Sequence, residues 1–221
     1  MLTISPADTP FDCDEGILAR VVEAIAGPGY IVLDDVFPAS TLNALCEHYH
    51  SLELAAFKPA GVGRELAFQI DQQVRRDQIF WLDGEDAQTA GYFRWIEKLR
   101  LHINRALFLG LFDYECHYAY YPQGGFYKRH VDAFKGSSNR RLSSVLYLNP
   151  HWQTGDGGEL LMYRDEETEP FEIIQPLFGR MVIFLSEVFP HEVAPTVKQR
   201  FSLTGWYRIN ANTTENLDPA S

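Results

Sequence analysis

Cysteine is scarce in this 221-residue chain: Cys13, Cys46 and Cys116 are its three thiols, they lie far apart, and no CxxC pair occurs. An odd, sparse set without metal spacing excludes a disulfide framework and points to reduced thiols in a cytoplasm. Long apolar runs are missing too, none approaching the roughly 18 residues that a membrane span needs. The opening MLTISPADTPFDCDEG has neither the basic n-region nor the apolar h-region of a secretion signal. Positive charge is in short supply, with 19 Lys+Arg against 30 Asp+Glu and a formal net charge of -11. That balance argues against wholesale binding to nucleic acid or anionic membrane, because phosphate recognition relies on clustered Lys and Arg. Internal repeats and low-complexity tracts are absent. What is present is an ordinary globular composition, 46% hydrophobic and 22% charged, in a length that suits one domain. The expectation is a cytoplasmic monomer.

The first half reads as helical support. Residues 14–26 place Ile17, Leu18, Val21, Val22 and Ile25 at helical spacing before Gly27-Pro28. Tyr30 to Phe37 reads as a short strand, and Ser40 as the cap of a helix striped by Leu42, Leu45, Cys46, Tyr49 and Leu52. A third helix, about Thr89 to Leu109, carries Tyr92, Ile96, Leu99, Ile103 and Leu107 on one face. These stripes are core faces. Between the last two helices, Glu65–Ile70 and Gln78–Leu82 read as strands joined by DQQVRRD (71–77), a hairpin with an exposed tip.

From residue 114 the texture changes to short β-rich runs separated by Gly, Pro, Asn and Asp, near 114–121, 126–132, 141–148, 158–163, 170–174, 180–185, 189–194 and 199–208. Eight short strands at close spacing predict a jelly roll. The fold class is therefore α+β, mainly β, in a single domain 1–221: helical support with a hairpin lid (1–113), a jelly-roll core (114–208) and a C-terminal tail (209–221).

The sharpest chemical signal is His130-Val131-Asp132. On a strand, residues i and i+2 share a face about 7 Å apart, so one short segment offers an imidazole and a carboxylate side by side. His191, opening the strand HEVAP, is the best candidate for a third ligand among His48, His50, His102, His117 and His151, of which His48 and His50 read as surface residues. Two His and one carboxylate on one face of an octahedron leave three positions open, which suits a non-haem Fe(II) centre. Alternation along Arg200–Arg208 puts Arg200, Ser202, Thr204 and Trp206 on one side and Phe201, Leu203 and Tyr207 on the other. Either the polar side faces solvent, or it faces a cavity. A buried Arg is costly unless paired, so an inward Arg200 predicts an anionic ligand, gripped by bidentate recognition of a carboxylate.

HVD (130–132), His191 and Arg200 nine positions later together resemble the Fe(II)- and 2-oxoglutarate-dependent dioxygenases. Within that superfamily GGFYKRHVD, RRLSSVLYLNP, GDGGEL, PHEV and RFSLTGWY, spread over about residues 60–208, are similar to the prolyl-4-hydroxylase branch, especially to bacterial relatives of the animal hypoxia-factor prolyl hydroxylases. The resemblance implies His130, Asp132 and His191 as iron ligands. Arg200 would hold the C5 carboxylate of 2-oxoglutarate with the Tyr147 hydroxyl as a second donor, and Tyr121 would sit at its C1 end, with Tyr120 and Tyr118 as alternatives. Thr204, Val193 and Leu160 would line the same pocket, Tyr127 and Trp206 the substrate mouth. Arg75, Arg76 and Asp77, in a lid spanning 72–84, would pair with substrate or with the enzyme itself.

As the family implies, 2-oxoglutarate and O2 are consumed, with ascorbate as an accessory reductant, and a prolyl residue of a protein substrate is hydroxylated at C4. Elongation factor Tu is the first candidate substrate and a ribosomal protein the second. The rival readings are an alkylated-nucleic-acid demethylase, which the net charge counts against, and a non-catalytic oxygen or 2-oxoglutarate sensor.

Overall fold

The computed structural model describes residues 15–61, 71–133 and 138–210. Three helices, α1 (Glu15–Ala26), α2 (Ala39–Ser51) and α3 (Ala90–Leu107), support eleven strands. The strands are β1 (Tyr30–Leu33), β2 (Lys58–Pro59), β3 (Gln78–Leu82), β4 (Leu111–Tyr121), β5 (Tyr127–His130), β6 (Arg140–Tyr147), β7 (Leu160–Met162), β8 (Glu172–Ile174), β9 (Met181–Leu185), β10 (His191–Val193) and β11 (Arg200–Ile209). They form a seven-stranded sheet, β1-β9-β6-β11-β4-β3-β2, and a four-stranded sheet, β5-β10-β7-β8. The paired strands run antiparallel throughout. All eight runs expected after residue 114 are strands, and the mainly β, jelly-roll class stands.

Alternation along the large sheet decides what each face buries. One side carries Tyr118 and Tyr120 of β4, Leu142 and Leu146 of β6, Met181 and Ile183 of β9, and Leu203 and Tyr207 of β11, all packed with the helical stripes of Leu18, Leu45, Trp95 and Leu99. The other side carries Ala119, Tyr121, Val145, Tyr147, Val182 and Phe184, which meet Leu160, Met162, Ile174 and Val193 of the small sheet. Each fully buried Leu or Ile contributes about 1.5–3 kcal/mol. The helical core therefore anchors the sheet, and the space between the two sheets can hold polar groups without unfolding it.

Several local expectations shift. Pro38, not Ser40, holds the cap position of α2: its fixed φ of -65° keeps the carbonyl free to accept the Thr41 and Leu42 amides at 3.0 and 3.2 Å. His48 is buried rather than at the surface, because it falls one turn after Leu45 on the core face; its Nδ1 lies 3.1 Å from the Tyr118 hydroxyl and its Nε2 3.3 Å from Asp86. The first strand stops at Leu33, since Asp35 turns the chain at φ 58° and drops Val36 and Phe37 into the core. Glu65–Ile70 lies outside the described residues, and the described partners of β3 are β4 and the two-residue β2. The stretch 71–77 is not a free tip. The Arg76 amide donates to Phe126 O and the Lys128 amide to Val74 O, both at 2.9 Å, and Arg75 bridges Tyr127, so this stretch extends the edge of the small sheet.

Candidate metal centre

At one end of the space between the sheets, His130, Asp132 and His191 converge. One ligand atom from each lies within 4.8 Å of the others, with Asp132 Oδ1 3.5 Å from His130 Nε2 and 3.7 Å from His191 Nε2. Strand pairing brings the distant segments together, because His191 on β10 is directly opposite His130 on β5. Both imidazoles have the same tautomer written into their surroundings. Each Nδ1 sits against a carbonyl two residues earlier, Lys128 O at 2.8 Å and Phe189 O at 2.9 Å. A proton on Nδ1 leaves the Nε2 lone pair for a cation.

Asp132 is oriented from behind: Ser143 Oγ donates to its Oδ2 at 2.6 Å, and Ser186 Oγ lies 2.9 Å from Ser143 Oγ. Burial alone would raise the Asp132 pKa, but His191, His130 and the Ser143 hydroxyl hold the carboxyl well below the usual carboxylate range. Burial, reinforced by the charge of His130, lowers His191 to about 4. Two imidazole Nε2 atoms and one carboxylate oxygen are the donor set of a non-haem Fe(II) site. The residues fit the ion.

Deeper between the sheets lies Arg200, 1% exposed. It donates to Gly158 O at 2.8 Å and to Ser202 Oγ at 3.3 Å, and its guanidinium carbon is 4.8 Å from the Tyr121 ring and 5.1 Å from the Tyr147 ring. No carboxylate of the described residues pairs with it. Beside it the buried Tyr147 hydroxyl has no hydrogen-bond partner among the described residues; burial pushes its pKa up to about 12 against the opposing pull of Arg200. An unneutralised cation and an orphaned hydroxyl, both sealed from water, form a half-site that a carboxylate would complete. Gly158 makes room for the Arg200 side chain: its φ is +67°, and a Cβ there would fall 2.8 Å from Arg200 Cδ.

The remaining predicted residues sort by strand parity. Tyr121 lies opposite Arg200 on the cavity side, whereas Tyr120 and Tyr118 belong to the helical core. Leu160 and Val193 are buried across the cavity, and Thr204 is half-buried two residues after Ser202 on the same strand face. Trp206 is buried at the metal end, opposite Ser143 in register, with the Arg140 guanidinium 3.5 Å over its ring and its Nε1 lacking a partner among the described residues. Arg75 and Asp77 pair with each other, Nε to Oδ1 at 2.7 Å, over Tyr127. Arg76 is exposed and spends its contacts on Gln72 O and the Phe126 ring.

Sequence reasoning missed Ser143, Ser186, Gly158 and His117. Ser143 had a signal, since it shares strand parity with Val145 and Tyr147. His117, buried between Trp81 and Trp206, lies on the cavity side of β4; burial lowers it to about 4. Gly158 stands in the GDGGEL motif, but nothing in it foretold that its carbonyl meets Arg200, and Ser186 had no signal, because the turn after β9 brings it in.

The profile of the 2OG-Fe(II) oxygenase superfamily matches residues 116–208. A crystal structure of a Pseudomonas putida prolyl-4-hydroxylase superposes with a TM-score of 0.77 at 40% identity, covering 87% of this chain and 98% of that one. A Trichoplax adhaerens prolyl hydroxylase, solved with a hypoxia-inducible factor peptide fragment, superposes with a TM-score of 0.75 at 25% identity over 87% of this chain and 89% of that one. Human Egl nine homolog 1 is 28% identical over 199 residues, 86% of this chain, and the chain spans 46% of that protein's length. The two-His, one-carboxylate cluster lies within the residues that the profile matches, and the chain belongs to the 2OG-Fe(II) oxygenase superfamily, within its prolyl hydroxylase branch.

Proposed function

We propose that this protein is a peptidyl-proline 4-hydroxylase. The observation that carries the reading is the pairing of the His130–Asp132–His191 cluster with a sealed, unneutralised Arg200 and the partnerless Tyr147 hydroxyl. His130 Nε2, Asp132 Oδ1 and His191 Nε2 hold Fe(II). Bound iron, with 2-oxoglutarate and dioxygen, supplies the oxidation: the cosubstrate loses CO2 to give succinate, and one oxygen atom ends as a hydroxyl on C4 of a prolyl ring. Arg200 and Tyr147 grip the distal carboxylate of 2-oxoglutarate, which sets the distance of its other end from the metal. Tyr121 donates near the C1 end, and Thr204, Val193 and Leu160 exclude water along its length. Tyr127 and Trp206 frame the mouth, with Arg75 and Asp77 fixing its rim.

The substrate is a protein segment rather than a free amino acid. A groove of about 630 Å³ beside the ligand-bearing loop, bordered by Val131, Ala133, Arg164, Val188 and Pro190, offers room for flanking residues. Elongation factor Tu is the first protein to test and a ribosomal protein the second; a monomer acting in the cytoplasm, assisted by ascorbate, completes the proposal. Incubation with Fe(II), 2-oxoglutarate, oxygen and prolyl peptides should yield succinate and a product heavier by one oxygen atom. Site-resolved mass spectrometry of elongation factor Tu from cells with and without the gene decides the target: identical hydroxylation in both removes it.

A further inference from the structure

Both histidines of the cluster are held at two points. The first is the Nδ1 contact with a backbone carbonyl. The second is an aromatic ring: for His191 it is Phe184, edge-on at 4.9 Å in the interior, and for His130 it is Tyr127, stacked at 3.6 Å with 14° between the planes. Simple alternation forbids the second arrangement, because residues 127 and 130 on a regular strand point to opposite faces. The pairing of β5 with β10 is irregular, however. His130 lies opposite His191 and Tyr127 opposite Val193, so three steps on β5 match two on β10. This bulge turns Tyr127 onto the face of His130, as bulges beside active sites re-aim side chains.

The Tyr127 ring is itself clamped. Its face toward His130 is filled, which leaves the other for the Arg75 guanidinium, 4.1 Å from the ring centroid. Arg75 is fixed by Asp77, whose side chain is fully buried, and by Gly61 O at 3.1 Å. His191 is locked by the interior around it, with 6% of its side chain exposed, whereas 17% of His130 is exposed at the mouth. A single hydrogen bond at Nδ1 leaves the exposed imidazole free to pivot; a ring packed flat against it removes that freedom before a metal arrives.

We infer that Tyr127, clamped by the Arg75–Asp77 pair, is a positioning residue for His130: it holds the imidazole so that Nε2 faces Asp132 Oδ1 and His191 Nε2, and thereby sets the metal affinity of the site. The inference rests on the metal reading proposed above. Its test is a Co(II) titration of purified protein, followed by calorimetry and by the ligand-field absorption of the bound ion, without substrate or turnover. Tyr127→Leu fills the space without a flat π face and should weaken Co(II) binding about tenfold or more, as loss of outer supports of a ligand does. Tyr127→Phe keeps the stack and should stay within about twofold of wild type, a rescue that a hydroxyl-based role would not give. The double variant Arg75→Met/Asp77→Asn removes the cation without stranding a buried carboxylate and should weaken binding about threefold. A Tyr127→Leu protein that binds Co(II) with wild-type affinity and spectrum overturns the inference while the metal reading stands. Should that variant not fold, wild-type affinity in the double variant overturns it. If the wild type takes up neither Co(II) nor Mn(II), the metal reading falls and this inference with it.

Discussion

Replacing Arg200 with methionine separates what this side chain costs the fold from what it contributes to binding. In the ligand-free protein its charge is buried with two neutral acceptors, Gly158 O and Ser202 Oγ, and with no carboxylate of the described residues. Exchanging buried ionic groups for apolar ones of similar volume is often stabilising, by about 1–4 kcal/mol. Against that, methionine orphans the Gly158 carbonyl, at about 1–3 kcal/mol. The two effects nearly cancel, so ligand-free Arg200→Met should lie within about 2 kcal/mol of wild type, which for a domain of this size is a melting shift of at most about 8 °C in either direction.

Binding changes far more. Two hydrogen bonds from a cation to the distal carboxylate, each about 1.5–3 kcal/mol, amount to about 10²–10⁴ in 2-oxoglutarate affinity. In a thermal melt with Mn(II) as a redox-inert occupant, 2-oxoglutarate at 100 times its dissociation constant should stabilise wild type by about 2.7 kcal/mol, or about 5–11 °C. The variant should gain at most about 0.4 kcal/mol at that concentration, a shift of no more than about 2 °C. A normal shift in Arg200→Met, or a ligand-free protein that loses more than about 4 kcal/mol, refutes the assignment of Arg200 as a buried cation waiting for an anion.

Tyr147→Phe removes a hydroxyl with no partner among the described residues, so the ligand-free melting temperature should not fall, while 2-oxoglutarate binding by calorimetry weakens about 10–150-fold. Ser143→Ala takes the 2.6 Å hydrogen bond from Asp132 and should weaken Mn(II) binding about 10–100-fold with the fold intact; unchanged affinity would mean that Asp132 needs no support. Acidification of the metal-free protein has a definite sign. His191 and His117 are depressed by burial from 6.5 to about 4, so between those values the unfolded chain binds more protons and stability falls as pH drops from about 6.5 to 4, by up to about 3 kcal/mol per group. Asp132, lowered instead, keeps its contribution above its usual value near 3.8 and loses it only below. Urea melts across that window should show His117→Phe flattening the slope by about half; an unchanged slope would exonerate His117.

The periodic and alternating patterns carried most of the architecture. Helical stripes such as Leu18, Val21 and Ile25 and strand parity such as Phe201, Leu203 and Tyr207 state which side faces the core, because burying apolar area is a local requirement that each residue meets through its own spacing. The same parity put Arg200 opposite the apolar side of its strand but left open whether that side met solvent or a cavity, and it took the pairing of β4 with β11 to tell Tyr121 from Tyr120. It misled at His48, where a polar residue on an apolar stripe found partners in Tyr118 and Asp86, groups far along the chain that spacing cannot reveal.

Residue type and order thus carried the fold class, which depends on repeat distances of two and 3.6 residues, and pointed to His130, Asp132, His191 and Arg200 as candidates. Tertiary structure alone decided the parts that make a ligand set into a site. Ser143 reaches Asp132 with Ser186, from the turn after β9, behind it, the Gly158 carbonyl meets Arg200 through a loop in a left-handed turn, and a bulge opposite Val193 lays Tyr127 flat on His130. Each depends on where separate segments cross, and a linear pattern holds no record of a bulge until two strands are paired.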